Sequence, residues 1–84
     1  MSRMSVMRKR RKALLKWSNG DYKEEVLNTD LDGKILPDKK EWGYGVECTI
    51  NGHFICAPDR NRFDAIYAAW DCAKWVLTLE PFEG

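Results

Sequence analysis

Apolar positions along this chain change rhythm twice, and each change marks a predicted element. Met4, Met7, Leu14 and Leu15 recur at helical spacing among good helix formers, with no Gly or Pro, which predicts a helix over residues 5–17. Arg11 interrupts that stripe, Asn19-Gly20 supplies a stop, and the basic residues near the end suit the negative pole of the helix dipole. Residues 22–29 fit a strand better than a short helix; Asp32-Gly33 marks a turn, and Pro37 breaks whatever follows. Residues 42–50, then Asn51-Gly52, then 53–57 predict a β-hairpin, because Asn-Gly tolerates the two positive φ angles of a type I′ turn. A two-residue loop sets Ile50 opposite His53, Cys48 opposite Ile55 and Val46 opposite Ala57, on one mostly apolar face. Glu47, Thr49, Phe54 and Cys56 take the other face, and Pro58 stops the strand.

Helical rhythm returns after Asn61, a predicted N-cap with Asp64 in the first turn, and runs from residue 62 to about 79, before Pro81. Phe63, Ile66, Trp70, Ala73 and Leu77 form one apolar stripe; Ala65, Ala69, Cys72, Val76 and Leu79 form a second. A helix this apolar needs cover on more than one side. The sheet supplies one side; the N-terminal helix, a second copy or a target supplies the other. The expected fold is therefore α+β: an N-terminal helix, a small antiparallel sheet of about three strands including the 42–57 hairpin, and a C-terminal helix packed on the sheet, in the order α-β-β-β-α. Its 84 residues make one domain, and that length supports a core without disulfide or metal staples.

Charge divides this domain. Residues 1–20 carry seven basic side chains and no acid, whereas residues 21–84 carry a net charge of −6. A basic N-terminal helix or arm is joined to an acidic body, an asymmetry that points to a charged partner or to an arm folded onto its own body. Three Cys form no CxxC and no regular framework, so a reduced, cytoplasmic chain is expected. The apolar run after the basic stretch, Ala13-Leu14-Leu15, is too short for a secretory signal, and nothing in the sequence is long enough to span a membrane.

Catalytic chemistry is poorly represented. There is one His, with no Gly-rich phosphate loop, no HExxH and no nucleophile elbow, so no catalytic residue, cofactor or enzyme activity is expected. Cys48, His53, Cys56 and Cys72 could supply zinc ligands by type. Strand parity points Cys48 and Cys56 to opposite faces, so no metal site is expected. Buried Cys48 and Cys72 would serve as small hydrophobes, and His53 as a partly exposed hairpin residue. Asp30-x-Asp32-Gly33 lacks the later ligands of a calcium loop and reads as a solvated turn. Among the four Trp, Trp70 lies on the main apolar stripe and is expected in the core. Trp42 and Tyr44 share parity with the core face, and Trp75 and Phe54 are the candidate exposed anchors.

Two binding surfaces follow. The run Arg8-Lys9-Arg10-Arg11-Lys12 is the candidate nucleic-acid contact, since such a cluster neutralises phosphate without reading sequence. Glu24, Glu25, Phe54, Asp71 and Trp75 are the candidate contacts to a protein partner, pairing acidic steering with aromatic anchors. The element order is similar to that of the double-stranded RNA-binding domain. That family grips the RNA backbone with a Lys-rich start to its last helix; the matching segment here is Arg60-Asn61-Arg62-Phe63-Asp64, with two Arg and an acid in place of the Lys cluster. The layout also looks like several small phage-encoded inhibitors, including some anti-CRISPR proteins, in size, charge and lack of catalytic motifs. The expectation is a non-enzymatic inhibitor or adaptor docking on a protein partner such as a nucleic-acid-handling machine, with RNA or DNA binding by the basic helix as the alternative. No membrane partner is expected, and a homodimer is one way to cover the apolar helix.

Overall fold

The computed structural model describes residues 2–27 and 43–82. Over them run α1 (Arg3–Trp17), β1 (Tyr22–Leu27), β2 (Gly43–Ile50), β3 (His53–Asp59) and α2 (Arg62–Val76). The strands form one antiparallel sheet in the order β1-β2-β3, completing the expected α-β-β-β-α arrangement. The Asp30–Gly33 turn, the Pro37 break and Trp42 lie outside the described residues.

Local chemistry explains where each element begins and ends. Ser2 caps α1, its hydroxyl accepting the Ser5 N–H at 3.1 Å, so the helix starts two residues before the apolar spacing alone implies. Asn19 and Gly20 end it with φ of 54° and 88°, and the Gly20 N–H closes on the Leu15 carbonyl at 3.1 Å. In the hairpin, Asn51 and Gly52 take φ of 56° and 80°, the paired positive values of a type I′ turn. The register is the one a two-residue loop requires: Ile50 faces His53, Cys48 faces Ile55 and Val46 faces Ala57. The cap of α2 is reciprocal, with the Asp64 N–H donating to Asn61 Oδ1 at 3.0 Å and Asn61 Nδ2 donating to Asp64 Oδ2 at 2.9 Å. That helix ends at Val76, although single turns carry on to Leu79, whose N–H reaches the Val76 carbonyl at 3.0 Å.

Both helices share one side of the sheet. Val46, Cys48 and Ile50 of β2 and Ile55 and Ala57 of β3 are buried with Ala65, Ile66, Ala69, Ala73 and Val76 of α2, and Met7 and Leu14 of α1 join the same core. Alanines at 65, 69 and 73 present a small-residue row that lets α2 approach the sheet closely. α1 covers a flank of α2, so the second cover that α2 required comes from within the chain.

Three positions depart from the expected pattern. The buried arc of α2 falls between the two apolar stripes, because its centre is set jointly by the sheet and α1. Trp70 sits at the edge of that arc and is half-buried against the core, not inside it. Cys72 is exposed, since it lies on the flank turned away from α1, and Leu77, beyond the last helical turn, is exposed as well.

The two turn glycines differ in their surroundings. A Cβ at Gly20 would meet nothing within 4 Å, whereas one at Gly52 would stand 2.2 Å from the Phe82 carbonyl oxygen. Gly20→Ala is therefore expected to cost about 1–2 kcal/mol, the strain of a left-handed alanine. Gly52→Ala should cost clearly more, because the tail must also move. Urea unfolding of both variants measures the difference; equal losses would show that the tail yields freely.

Candidate functional site

The site begins with what holds α1 in place. Strand alternation puts Glu24, at the middle of β1, on the helix-facing side of the sheet. Its Oε2 accepts Arg11 Nε of α1 at 2.6 Å and the Tyr22 hydroxyl at 2.8 Å. Its Oε1 accepts Arg62 Nε of α2 at 2.7 Å and the Tyr44 hydroxyl of β2 at 2.9 Å. One carboxylate thus joins both helices and two strands. The Glu24 side chain is only 9% exposed, while the two arginines keep 44% and 40% of theirs in solvent. Burial by itself pushes the Glu24 carboxyl up; the hydrogen bonds from Arg62, Tyr22 and Tyr44, together with the Arg62 charge, outweigh it and hold the group below its ordinary value. Burial and the neighbouring carboxylate push the Tyr22 and Tyr44 phenols up. No buried side-chain nitrogen or oxygen among the described residues lacks a hydrogen-bond partner.

With α1 fixed in rotation, its basic residues sort into two groups. Arg3 lies 4.2 Å over the Phe63 ring and 3.7 Å from the Asp64 carboxylate. Arg10 sits over both Tyr67 and Trp70, at 4.6 and 4.8 Å, and Arg11 goes to Glu24. Arg8, Lys9 and Lys12 remain exposed, and Lys16 extends them. Helical spacing sets Arg8, Lys12 and Lys16 in one row with Lys9 beside it. Arg10 and Arg11, two members of the predicted nucleic-acid cluster, therefore face the body, and Lys16, outside that cluster, completes the outward row. Among the described residues no acid pairs with this row, and α1 itself contains none.

The predicted protein-contact residues are dispersed. Glu24 is occupied internally as described. Glu25 lies on the opposite sheet face, half-buried, 3.3 Å from Lys23 Nζ. Phe54 is on that same outer face, 66% exposed. Asp71 and Trp75 are exposed on α2, Trp75 at 64%. The sequence reading missed Arg62, Tyr22 and Tyr44 as partners of Glu24, and Arg3, Phe63 and Tyr67 as a stacked cation–aromatic group. Tyr22-x-Glu24 shares a strand face and carried a faint signal; the others meet only through the fold.

Cys48 and Cys56 point to opposite sheet faces, as the register dictates. Burial foremost, with Cys72 and Asp21 nearby, pushes the Cys48 thiol up to about 11, which keeps it a protonated core residue at neutral pH. Among the described residues no three His, Cys, Asp or Glu side chains converge as metal ligands, and no helix is long and apolar enough to cross a membrane. No family model matches the chain, and neither a curated protein nor a solved structure is significantly similar to it.

The clasp predicts how stability changes with pH. A carboxyl held low in the folded chain contributes fully above its ordinary value of about 4.5 and loses that contribution as pH falls through its folded value. A phenol held high contributes fully below 10.0 and loses it above. Glu24→Gln should lower stability by about 2 kcal/mol, discounted for the half-exposed arginines, and should flatten the acid limb of a stability–pH curve. Denaturant midpoints between acid and neutral pH test this. An unchanged acid limb would mean other carboxylates govern acid unfolding.

Proposed function

We propose that this chain is a non-enzymatic binding protein that holds a nucleic-acid backbone against the outward face of α1. The observation that carries this reading is the row of Arg8, Lys9, Lys12 and Lys16, exposed together on a helix anchored through its other side. An α-helix rises about 1.5 Å per residue, so Arg8 to Lys16 spans roughly 12 Å, enough to meet several phosphates of one strand. Anchoring matters because cations on a fixed helix lose less freedom on binding than cations on a loose arm. Among the described acids of the body, Glu24, Glu25 and Asp64 are engaged within the chain.

A second reading is favoured by the exposure of Phe54 and Trp75. Large apolar side chains at that exposure can anchor a protein partner. On this reading the chain is a phage-type, anti-CRISPR-like inhibitor or adaptor docking on a nucleic-acid-handling machine. A cytoplasmic setting with reduced cysteines suits either reading, since all three thiols are free.

Binding of the isolated chain to labelled generic DNA and RNA across a salt series separates the two. The expected result is salt-sensitive binding. Changing Arg8, Lys9, Lys12 and Lys16 together to Gln should weaken it and reduce the salt slope by roughly 0.9 for each duplex phosphate no longer neutralised, with the melting temperature little changed. Absence of binding to either polymer at low salt would overturn the first reading. Loss of capture of a host protein by Phe54→Ser with Trp75→Ser, but not by the Gln variant, would establish the second.

A further inference from the structure

Resting on the nucleic-acid reading, we infer that the cleft between the N-terminal halves of α1 and α2 receives an unpaired nucleobase, so that the preferred ligand is a single strand. The cleft has a volume of about 280 Å³ and is lined by Arg3, Val6, Arg10, Phe63, Asp64 and Tyr67 among others. That is below the roughly 300–1,000 Å³ of sites that enclose drug-sized ligands and cofactors, and it suits one flat ring. Its walls include the Phe63 and Tyr67 rings and the Arg3 and Arg10 guanidinium groups, and Trp70 continues the ring series beyond the cleft. Phe63, Tyr67 and Trp70 recur along α2 at helical spacing, and Arg3 and Arg10, two turns apart on α1, lie over them at 4.2–4.8 Å. Lys74 lies 4.3 Å from the Trp70 ring on the same ladder. Aromatic rings and stacked guanidinium groups are the surfaces on which single-stranded bases stack. Tyr67 remains 47% exposed, so its ring is reachable from solvent.

Shape decides which part of a nucleotide enters. The Asp64 carboxylate lines the cleft but is held by Arg3 at 3.7 Å and by the Asn61 amide, so the ring and guanidinium surfaces, and not a charge, favour a flat base. Of the outward cations Lys9 is the nearest: Val6 lines the cleft and Lys9 is one helical turn further along the same side of α1, whereas Arg8, Lys12 and Lys16 lie farther round the helix. A strand with a phosphate on Lys9 can therefore turn one base into the cleft. Bases in a duplex are paired and stacked, so a duplex meets the row alone and gains nothing from the cleft. Stacking of this kind tolerates any base, so little sequence preference is expected.

The test compares oligothymidylate with a duplex of generic sequence, titrated with the full chain at one salt concentration and followed by anisotropy. The wild-type chain should bind the single strand about tenfold more tightly than the duplex, within the range of one stacked base. Tyr67→Ala should remove most of that preference while leaving duplex affinity and the salt slope unchanged, and Tyr67→Phe should restore it. A thermal melt of Tyr67→Ala confirms that the fold persists; should it unfold, Tyr67→Leu, which keeps an apolar side chain but no ring, carries the test and should lose the single-strand preference in the same way. Equal affinity for both polymers, with Tyr67→Ala indifferent, overturns the single-strand inference and leaves the outward row standing. Failure to bind either polymer overturns the row and the cleft together.

Discussion

A single carboxylate, that of Glu24, determines how the helical layer sits on the sheet. It accepts donors from residues 13 and 38 positions away on α1 and α2, and from Tyr44, 20 positions away on β2. Fully burying an ion pair is expensive, since both charges leave water. Here the anion alone is buried, and both guanidinium groups stay partly hydrated while both carboxylate oxygens are saturated. The arrangement also fixes the rotation of α1. With Arg11 turned to the sheet and Met7 and Leu14 in the core, Arg8, Lys12 and Lys16 are turned outward and exposed among the described residues. The outward charge is thus a geometric by-product of an inward bond.

The parts legible in the sequence were those governed by neighbours in the chain. Asn51-Gly52 specifies its turn through the φ angles its own two residues tolerate, and the turn then dictates the register of β2 and β3. Asn61 with Asp64 writes a helix start in four residues. The Glu24 clasp is absent from such local signals, because nothing near Glu24 in sequence announces Arg62. Trp70 and Cys72 were misplaced for the same reason. Apolar spacing identifies a helix but not how wide an arc its neighbours cover, and α1 covers only one flank of α2. Arg10 and Arg11 could not be separated from Arg8 and Lys12 until the direction of the core was known.

The far side of the sheet answers to different constraints. It carries Lys23, Glu25, Glu47, Thr49, Phe54 and Cys56, a mixed face with no buried apolar layer among the described residues. Among those residues both outer strands have an edge without a neighbouring strand, a template for unwanted pairing. β3 contains Pro58, which has no N–H to offer, and β1 carries the Lys23–Glu25 pair, both familiar ways to discourage an incoming strand. Gly45 is shielded differently: the Leu27 side chain lies across it, where an added Cβ would stand 3.4 Å from Leu27 Cδ1.

That α1 and α2 share one core has a kinetic consequence. Leu14 and Val76 belong to the same buried cluster although they come from opposite ends of the described chain. The hairpin can form from local contacts alone, but the helical layer closes only after the longest loop in the molecule has been brought together. During synthesis, residues near 76 emerge well after those near 7 and 14, so Met7 and Leu14 wait through that interval without their final neighbours. Over that interval the strong positive charge around α1 keeps the waiting helix apart from other copies of itself, which makes the same cations guardians of the nascent chain.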